Sequence, residues 1–337
     1  MRDSRIAAIA LDLAVECFPL KEPFYITGHR IVTTTVVTVH LALDRHVGRG
    51  EASGVFYREG EDTSGIVRQI EAVRAKIEAG LDREELQRLL PPGGARNALD
   101  CAMWDLEAKR TGWTAWQIAG LEPPRPLLTT FTISANTPEK MARDSMSYSQ
   151  AKAIKMKLTG EQPLDADRVR AVRAARPEVW LGVDANQGFT RTSLETLMPI
   201  FLENRVKLIE QPFRIGEEGN LDGWRPPIRI AADESAQNLG DLAKLVGRFS
   251  VVNIKLDKCG GLTEGLAMAR EARRLGFEVM VGNMIGTSLA MAPAFLVGQL
   301  CDVVDLDGPA LLSDDRVNPV RYVDGMISCP GGLWGGM

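Results

Sequence analysis

Two kinds of apolar pattern divide the chain, and the change between them comes near residue 127. Beyond that point, short apolar runs with the length of buried strands alternate with stretches that place an apolar residue every three or four positions, as amphipathic helices do. Strands are expected at Leu127–Ile133, Ala153–Leu158, Trp180–Asp184, Val206–Ile209, Ile228–Ala232, Val251–Leu256, Glu278–Gly282 and Val303–Leu306. Eight strands that alternate with helices over about 180 residues predict a (β/α) barrel.

The first 120 residues follow a different pattern, which predicts a separate α+β unit. Strands are expected over Ile6–Phe18 and Ile31–Leu43, and the second of these is rich in Val and Thr. Irregular chain is expected over Pro19–Arg30, which holds two prolines and a glycine, and again over Gly50–Gly60. A helix over Ala95–Arg110 carries an apolar stripe that is typical of core packing.

Together these patterns predict an α/β fold, namely a modified TIM (β/α) barrel with an α+β capping domain. Residues 1–120 are expected to form the capping domain and residues 121–319 the barrel with the active site. Residues 320–337 are too few for a domain of their own, so we expect this tail to return to the capping domain. A chain of 337 residues is long enough to bury a full core in this arrangement.

The composition narrows the classes of function. Its 45% of hydrophobic and 25% of charged residues are those of an ordinary soluble globular protein. A formal net charge of −4 gives no electrostatic reason to expect nucleic acid or a membrane surface as a partner, and no apolar run approaches a membrane span. Five scattered cysteines without CxxC spacing favour reduced thiols in the cytoplasm over disulfides or a zinc site. Assembly into a homo-oligomer stays open.

The second barrel strand carries two cations in an otherwise apolar run. Lys155 and Lys157 are two positions apart, so their side chains lie on the same face of the strand. Burying two ammonium groups side by side is costly unless acidic groups compensate them. A solvated edge strand would avoid that cost, but acidic residues recur at the ends of the following strands, which favours a buried pair of lysines.

The middle strands of the predicted barrel end in polar residues that a buried strand does not need. Strand three ends at Asp184, strand four at Glu210 and strand five at Asp233, and strand six contains Lys255. The intervals between these positions are 26, 23 and 22 residues, and each interval has the length of one βα unit. Because barrel enzymes place their working groups at the C-terminal ends of the strands, these four side chains are expected beside one another on one rim.

Three carboxylates on adjacent strands would repel one another unless a cation joined them. Oxygen ligands without His or Cys favour Mg²⁺ or a similar divalent cation, and Asp184, Glu210 and Asp233 are the expected ligands. Each of them alone could be a helix N-cap, but three in successive units favour a metal site. Asn186 and Glu234 are either further partners of this site or caps, and the sequence does not separate the two roles.

Lys157 and Lys255 are expected on opposite walls, because strands two and six face each other across an eight-stranded barrel. The α-carbon of a substrate carboxylate on the metal would then lie between two amines, which suits proton removal on one face and return on the other. The lysine pKa would have to fall from about 10.4 towards about 7–8, and repulsion from Lys155 and from a nearby divalent cation favours such a fall. Lys155 itself would serve as a fixed cation near the substrate carboxylate.

Two further acids follow the last strand. Asp305 and Asp307 are two positions apart, hence on one face, and they would form a negative pocket that suits an ammonium group. The alternative is a capping pair that closes the barrel.

These motifs together resemble the enolase superfamily, in its muconate-lactonizing subgroup. The resemblance spans the whole chain and includes the helix Arg96–Leu106, the Lys-Met-Lys strand and the segment Lys255–Gly261. It implies lysine acid/base groups that work with Mg²⁺. The roles that it implies are metal ligands for Asp184, Glu210 and Asp233, acid/base catalysis for Lys157 and Lys255, and electrostatic support for Lys155.

The strand-eight pair narrows the resemblance to the dipeptide epimerases of the L-Ala-D/L-Glu type. In that family the strand-eight aspartates, here Asp305 and Asp307, hold the free α-amine of a dipeptide whose C-terminal carboxylate binds the metal. The implied reaction inverts the α-carbon of the C-terminal residue by 1,1-proton transfer through an enediolate. Relatives that prefer a C-terminal Glu use a cation of a capping-domain loop, for which Arg30 is the candidate, while a hydrophobic second residue stays open. Phe24 and Tyr57 are candidates for a lid by position, with packing as the alternative.

Other functions share parts of this pattern. Muconate cycloisomerase and o-succinylbenzoate synthase have the same lysines and metal ligands but no amine to bind. A Schiff-base aldolase that uses Lys255 is the alternative from another class of enzyme, and it would need no metal. A barrel that only binds its ligand is the third alternative, and the presence of both lysines argues against it.

Overall fold

The capping domain contains a three-stranded antiparallel sheet. The structure is a computed structural model that describes residues 9–336, so the start of the predicted strand Ile6–Phe18 lies outside the described residues. The strands are β1 (Ala10–Ile26), β2 (His29–Leu43) and β3 (His46–Ala52), which pair in that order. The helices that follow them are α1 (Thr63–Glu78), α2 (Arg83–Leu89), α3 (Gly94–Thr111) and α4 (Ala115–Ile118).

Helix α3 packs against β3 and confirms the predicted apolar stripe. The stripe residues, all buried in the capping-domain core, are Leu99, Ala102, Met103 and Leu106. Gly48 and Gly50 of β3 lie directly against the helix backbone, because a Cβ atom at either position would come within 2.2 Å of a carbonyl oxygen of α3. Glycine at these two positions therefore lets the sheet approach the helix.

The expectation of irregular chain over Pro19–Arg30 is wrong. Strand β1 continues to Ile26 and β2 begins at His29, so the segment forms the end of a long hairpin with a turn at Thr27 and Gly28. The prolines are tolerated because β1 is an edge strand, where a missing N–H need not break a ladder hydrogen bond. The pairing also shifts register between Pro19 and Phe24, which accommodates the irregular sequence there.

Eight parallel strands form the second sheet and confirm the predicted barrel. They are β5 (Thr130–Ile133), β6 (Ala153–Lys157), β7 (Trp180–Asp184), β8 (Val206–Glu210), β9 (Arg229–Ala232), β10 (Val251–Ile254), β11 (Glu278–Val281) and β12 (Val303–Val304). The helices of this part are α5 (Pro138–Ser147), α6 (Gln162–Ala175), α7 (Arg191–Glu203), α8 (Leu242–Leu245), α9 (Leu256–Cys259), α10 (Leu262–Arg274) and α11 (Ser288–Gly298). The first predicted run is split, because β4 (Leu127–Leu128) pairs outside the barrel.

Side chains join the first and last strands of the barrel. The backbone ladder of the described residues runs from β5 to β12 without pairing these two strands to each other. Across this gap Thr130 donates its hydroxyl to Asp305, and the backbone N–H of Thr132 donates to Asp307 Oδ2 at 2.6 Å. The N–H of Leu306 donates to Thr129 Oγ1 at 2.9 Å. We call this region the seam.

The C-terminal tail contacts both parts of the chain. Its strands β13 (Arg321–Val323) and β14 (Met326–Ser328) form a small sheet with β4. Further on, the indole N–H of Trp334 donates to the carbonyl oxygens of Arg49 at 2.9 Å and Cys101 at 3.1 Å, both in the capping domain. The domain limits at residues 120 and 319 stay predictions.

None of the helices within residues 9–336 combines the length and the apolar character that crossing a bilayer requires. All five cysteines are free thiols: Cys17, Cys101, Cys259, Cys301 and Cys329.

Candidate active site

A cavity of about 510 Å³ lies at the C-terminal ends of the barrel strands, beneath the capping domain. Both predicted acid/base lysines, Lys157 and Lys255, line it. They come from β6 and from the residue just after β10, which are separated by three strands of the sheet. The two amines therefore approach one enclosed space from different walls.

Lys157 is placed by the strand register. It pairs directly with Asp184 on the neighbouring strand β7, and its Nζ atom lies 2.5 Å from Asp184 Oδ2. Asp184 pairs in turn with Glu210 on β8. The backbone ladder thus brings these three side chains together, as the sequence intervals predicted.

Lys155 lies on the same face of β6 but outside the cavity wall. Its ammonium group contacts Asp305, which lies just beyond the seam, and is 3.2 Å from Glu210 Oε2. Burial alone would lower the pKa of Lys155, but Asp305 and Glu210 outweigh burial and raise this pKa well above its usual value. Lys155 is therefore a fixed positive charge beneath the cavity.

Lys255 shares one carboxylate with a second lysine that the sequence reasoning did not single out. Asp233 Oδ2 lies 2.7 Å from Lys255 Nζ, and Asp233 Oδ1 lies 2.5 Å from Lys258 Nζ. Lys258 is fully buried and also donates to the backbone carbonyl of Asn253 at 3.0 Å. The only signal in the sequence was the run of polar residues at 253, 255, 257 and 258, which continues past the strand into α9.

These contacts set the pKa values on this wall. Burial would raise the pKa of Asp233, but Lys255 and Lys258 outweigh burial and lower it. Burial would likewise lower the pKa of Lys255, but Asp233 and Glu210 outweigh burial and raise it. In this arrangement carboxylates and not cations dominate the surroundings of Lys255, and the lowered pKa expected for a basic lysine beside a bound divalent cation stays a prediction.

Glu210 lies between the other acids. Burial, and then the charges of Asp184 and Asp233, raise its pKa to about 7. Its Oε1 accepts a hydrogen bond from the side-chain amide of Asn253 at 2.7 Å, while Oε2 is buried without a hydrogen bond. Burial, followed by the charges of Asp233 and Asp184, also raises the pKa of Glu234 to about 8. Each of these acids is close enough to the others to oppose their ionisation.

The residues present fit a divalent cation. Asp184, Glu210 and Asp233 offer only oxygen ligands, which Mg²⁺ prefers, and Glu210 Oε2 is buried and makes no hydrogen bond, although Lys155 Nζ lies 3.2 Å from it. Within residues 9–336, no three Asp, Glu, His or Cys side chains already stand at the spacing of one coordination sphere, because each of the three acids faces an ammonium group. The ligand assignment therefore remains a prediction that the chemistry of the donors supports.

Asp305 and Asp307 lie at the seam, both buried. The seam contacts agree with the alternative of a capping pair that closes the barrel, and Asp305 also binds Lys155. Burial, and then the charge of Asp305, raise the pKa of Asp307 to about 6. Binding of a substrate amine by this pair remains a prediction.

The hairpin of residues 19–31, which we call the hairpin lid, lies across the barrel mouth. The N–H of Ala135 donates to the carbonyl of Tyr25 at 3.1 Å, beside the end of β5. At the turn, the Thr27 hydroxyl donates to the carbonyl of Leu158 at 3.1 Å and lies 3.3 Å from that of Ala185, just past the ends of β6 and β7. Phe24 of this lid lines the cavity and is also buried against Leu20, Ile26 and Leu312, which agrees with the packing role.

Arg30 also lines the cavity from the hairpin lid. It is exposed, and its Nε donates to Tyr25 Oη at 3.2 Å. The structure thus brings Arg30 to the same cavity as the two lysines, at its outer edge.

Residues 53–61, which we call the loop lid, close the other side. The N–H groups of Ser53 and Gly54 donate to Asp257 Oδ1 at 2.9 and 3.3 Å, two residues after Lys255. Tyr57 of this lid lines the cavity. The rings of Phe56 and His29 lie 4.9 Å apart, centroid to centroid, so the two lids touch each other above the mouth.

Comparison with known proteins covers both parts of the chain. Residues 8–120 match the family model of the mandelate racemase/muconate lactonizing enzyme N-terminal domain, and residues 139–333 match the enolase C-terminal domain-like model. The L-Ala-D/L-Glu epimerase of Escherichia coli K12 is 38% identical, over 93% of this chain and 97% of its own length. An N-acetyl-D-glutamate racemase from Pseudoalteromonas sp is 40% identical, over 85% of this chain and 91% of its own length.

A solved structure is similar over nearly the full length. It is an enolase family member from Agrobacterium tumefaciens with homology to dipeptide epimerases, with bound sodium and L-Ala-L-Glu and an ordered loop. It is 42% identical, covers 97% of this chain and 100% of its own, and superposes with a TM-score of 0.93. With both domains matched and the barrel, lids and lysine pair in place, the chain belongs to the mandelate racemase/muconate lactonizing enzyme family of the enolase superfamily.

Proposed function

We propose that this protein is a dipeptide epimerase that inverts the α-carbon of the C-terminal residue by 1,1-proton transfer. The observation that carries the proposal is the placement of Lys157 and Lys255 on different walls of one cavity, with the acids of β7, β8 and β9 between them. Dipeptides of the L-Ala-D/L-Glu type are the first substrates to test, since relatives named for such substrates match most of the chain.

The two lysines divide the reaction between them. One amine, in its neutral form, takes the α-proton from one face of the carbon, and the other, as an ammonium group, returns a proton to the opposite face. The charges exchange when the reaction runs from the other epimer, so one proton is taken and one is given in each direction. The carboxylates beside the lysines, Asp184 and Asp233, hold each amine in reach of the cavity.

Asp184, Glu210 and Asp233 would hold Mg²⁺ or a similar divalent cation. Such a cation supplies positive charge where the substrate carboxylate gains negative charge as the enediolate forms. Lys155, fixed beneath the cavity by Asp305 and Glu210, adds a second positive charge to the same region.

The remaining substrate contacts come from the seam and the hairpin lid. Asp305 and Asp307 would bind the free α-amine, since they are the paired acids after the last strand. Arg30 lines the cavity and would meet the side-chain carboxylate of a C-terminal Glu. A cytoplasmic location, expected from the unpaired thiols, is part of this proposal.

An N-acylamino acid racemase is the second candidate, because the Pseudoalteromonas relative is named for N-acetyl-D-glutamate. The two substrates share a glutamate carbon skeleton and differ at the nitrogen end, where the acetyl group has no charge. The seam acids therefore separate the two functions: they would bind a cationic amine but would gain nothing from an acetyl group.

Exchange of the α-proton in D₂O tests the proposal. The purified protein with Mg²⁺ is incubated with a dipeptide library that includes L-Ala-L-Glu, and with N-acetyl-L-glutamate, and deuterium uptake is followed by mass spectrometry. The expected result is one deuterium at the C-terminal α-carbon together with epimerisation. Exchange of N-acetyl-L-glutamate alone would favour the second candidate, and no exchange with any member would contradict both.

A further inference from the structure

Arg316 lies where the capping domain, the barrel and the C-terminal segment come together. Its guanidinium group donates hydrogen bonds to four side chains. The acceptors are Glu16 Oε1 at 2.7 Å, Thr38 Oγ1 at 2.9 Å, Glu51 Oε2 at 2.8 Å and Thr287 Oγ1 at 3.0 Å. Because a guanidinium group presents its donors in one plane with fixed geometry, these contacts fix the four acceptors relative to one another.

Three of the acceptors lie on the strands that carry the two lids. Glu16 is on β1 and Thr38 is on β2, and these are the strands whose turn forms the hairpin lid. Glu51 is near the end of β3, two residues before the loop lid begins. One side chain therefore contacts the base of both lids.

The fourth acceptor attaches this group to the barrel. Thr287 is the N-cap of α11, and residues 283–285, just before it, line the cavity. The N–H of Thr287 donates to Glu51 Oε1 at 2.8 Å, and the hydroxyl of Thr34 on β2 donates to the carbonyl of Ile285 at 2.7 Å. The capping sheet is thus joined to the rim of the barrel where β11 leads into α11.

The segment that carries Arg316 is also attached to the hairpin lid directly. Leu20 and Leu312 form an antiparallel bridge, and the N–H of Ser313 donates to the carbonyl of Pro19 at 2.9 Å. The position of the hairpin lid is therefore linked to that of Arg316 through the backbone as well as through the side chain.

Arg316 also compensates a buried acid. Glu51 is 1% exposed, and within residues 9–336 Arg316 is the one cation paired with it. Burial raises the pKa of Glu51, and the charge of Arg316 opposes that rise. Without the guanidinium group this carboxylate would be buried with no cation beside it, which is unfavourable, so the contact between the capping sheet and the barrel would weaken.

We infer that Arg316 is a positioning residue that holds both lids over the barrel mouth and couples their positions. The inference rests on the proposed function, because the lids enclose the substrate on which the two lysines act. Arg316 is not among the residues that line the cavity, so it affects the reaction through the lids. Its loss loosens the lids and weakens substrate binding, while the proton-transfer groups of the rim stay in place.

Hydrogen exchange of the backbone amides without substrate tests the lid positions directly. In Arg316→Met, the amides of residues 19–31 and 53–61 should exchange at least about tenfold faster than in the wild type, and those of β6, β7 and β8 at nearly the wild-type rate. Mass spectrometry of peptides from each segment measures these rates.

Arg173→Met is the matched control. Arg173 is also a buried arginine, but it donates to the carbonyls of Asn204 at 2.8 Å and Val179 at 2.9 Å, just before β8 and β7 begin. These contacts lie at the end of the barrel opposite the cavity, so this variant should leave amide exchange in both lids unchanged.

Arg316→Lys serves if the methionine variant does not fold. It keeps a cation beside Glu51 but offers its donors from a single nitrogen, which cannot hold four acceptors on three strands and a helix cap. This variant should keep a Tm near that of the wild type and still raise amide exchange in both lids.

Kinetics connect the lids to the reaction. Arg316→Met should raise KM for L-Ala-L-Glu about tenfold and lower kcat less than about threefold. Wild-type amide exchange in the lids of both Arg316 variants, equal acceleration in the lids and in β6–β8, or an unchanged KM would overturn the inference while the proposed function stands. Absence of α-proton exchange with every substrate in the wild type would overturn the proposed function alone, because amide exchange in the lids needs no substrate.

Discussion

The barrel rim and the two lids enclose the same cavity, but they are held in place by different forces. On the rim, the backbone ladder fixes each group: Lys157 pairs with Asp184, and Asp184 with Glu210, as direct neighbours on adjacent strands. The loop lid instead rests on hydrogen bonds between loops, such as those from Ser53 and Gly54 to Asp257. The hairpin lid is a paired β-hairpin, but it is joined to the barrel by separate hydrogen bonds, such as that from Thr27 to Leu158, and not by a ladder.

This difference suggests that the rim carries out proton transfer and that the lids select the substrate. A rim side chain cannot move without disturbing a strand that carries other members of the site, so the proton-transfer groups stand in fixed relation. A lid residue such as Arg30 can change without any effect on the ladder, because it is exposed at the outer edge of the cavity. We therefore expect rim substitutions to abolish turnover and lid substitutions to change which substrate is turned over.

The largest effect is expected for the rim lysines. Lys157→Ala and Lys255→Ala should each lower the epimerisation rate by at least about 10³-fold, since each removes one of the two proton-transfer groups. Each variant should still exchange the α-proton of one epimer, and the two variants should differ in which one. Chiral chromatography of products formed in D₂O measures both quantities. Epimerisation near the wild-type rate in either variant would contradict the assignment of two bases.

The seam acids lie on the rim but are expected to act in binding. Asp307→Asn keeps the size of the side chain and removes the charge, so kcat/KM for L-Ala-L-Glu should fall by about 10²-fold through loss of the ammonium contact. Mg²⁺ affinity, measured by calorimetry, should stay the same, because Asp307 is not among the expected ligands. Activity on N-acetyl-L-glutamate, if the wild type has it, is the control. Unchanged dipeptide kinetics would remove the amine pocket from the proposal.

A smaller effect is expected for the hairpin lid. Arg30→Met should raise KM for L-Ala-L-Glu about tenfold, because an exposed charge pair is partly screened, and should change KM for L-Ala-L-Leu little. Arg143→Met removes another exposed arginine, on α5 and outside the cavity lining, and serves as the control. An equal rise in KM for both dipeptides would show that Arg30 supports the lid and does not bind the side chain of the C-terminal residue.

The smallest effect concerns the junction of rim and lid. Burial raises the pKa of Asp257 to about 7, although the N–H groups of Ser53 and Gly54 oppose this rise. An acid whose folded pKa lies above its unfolded value of about 4 stabilises the fold only at low pH, and this stability is lost as pH rises towards 7. The side chain of Asp257→Asn stays neutral at every pH. The free energy of unfolding of this variant, minus that of the wild type, should therefore increase by about 1 kcal/mol per pH unit between pH 5 and 7.

Urea unfolding of both proteins at several pH values measures this difference. A gap between wild type and variant that does not change with pH would show that Asp257 is ionised throughout, held so by the two backbone N–H groups.

The sequence predicted the rim better than the lids for a physical reason. The intervals from Asp184 to Lys255 follow the length of a βα unit, so position along the chain translates directly into position around the barrel. The hairpin lid was mistaken for irregular chain because its prolines count against a strand, and only the pairing order shows that β1 is an edge strand.

Contacts between distant segments could not be read from the chain either. Lys258 belongs to a run of polar residues at the end of the sixth strand, and its burial against Asp233 depends on a neighbour 25 residues away. Asp257 reaches the loop lid across 204 residues of sequence. The first contact forms when neighbouring barrel strands come together and the second when the barrel meets the capping domain, and no local pattern marks either.

The seam limits how the substrate preference of this fold can change. Where most barrels are closed by backbone pairing, here Asp305 and Asp307 fasten β12 to β5 through Thr130 and Thr132. Under the proposed function these same acids bind the α-amine of the substrate. Replacing either acid, as adaptation to a substrate without an amine would allow, would also remove a contact that closes the barrel. Substitutions in the hairpin lid carry no such cost, so we expect substrate preference to change more readily there.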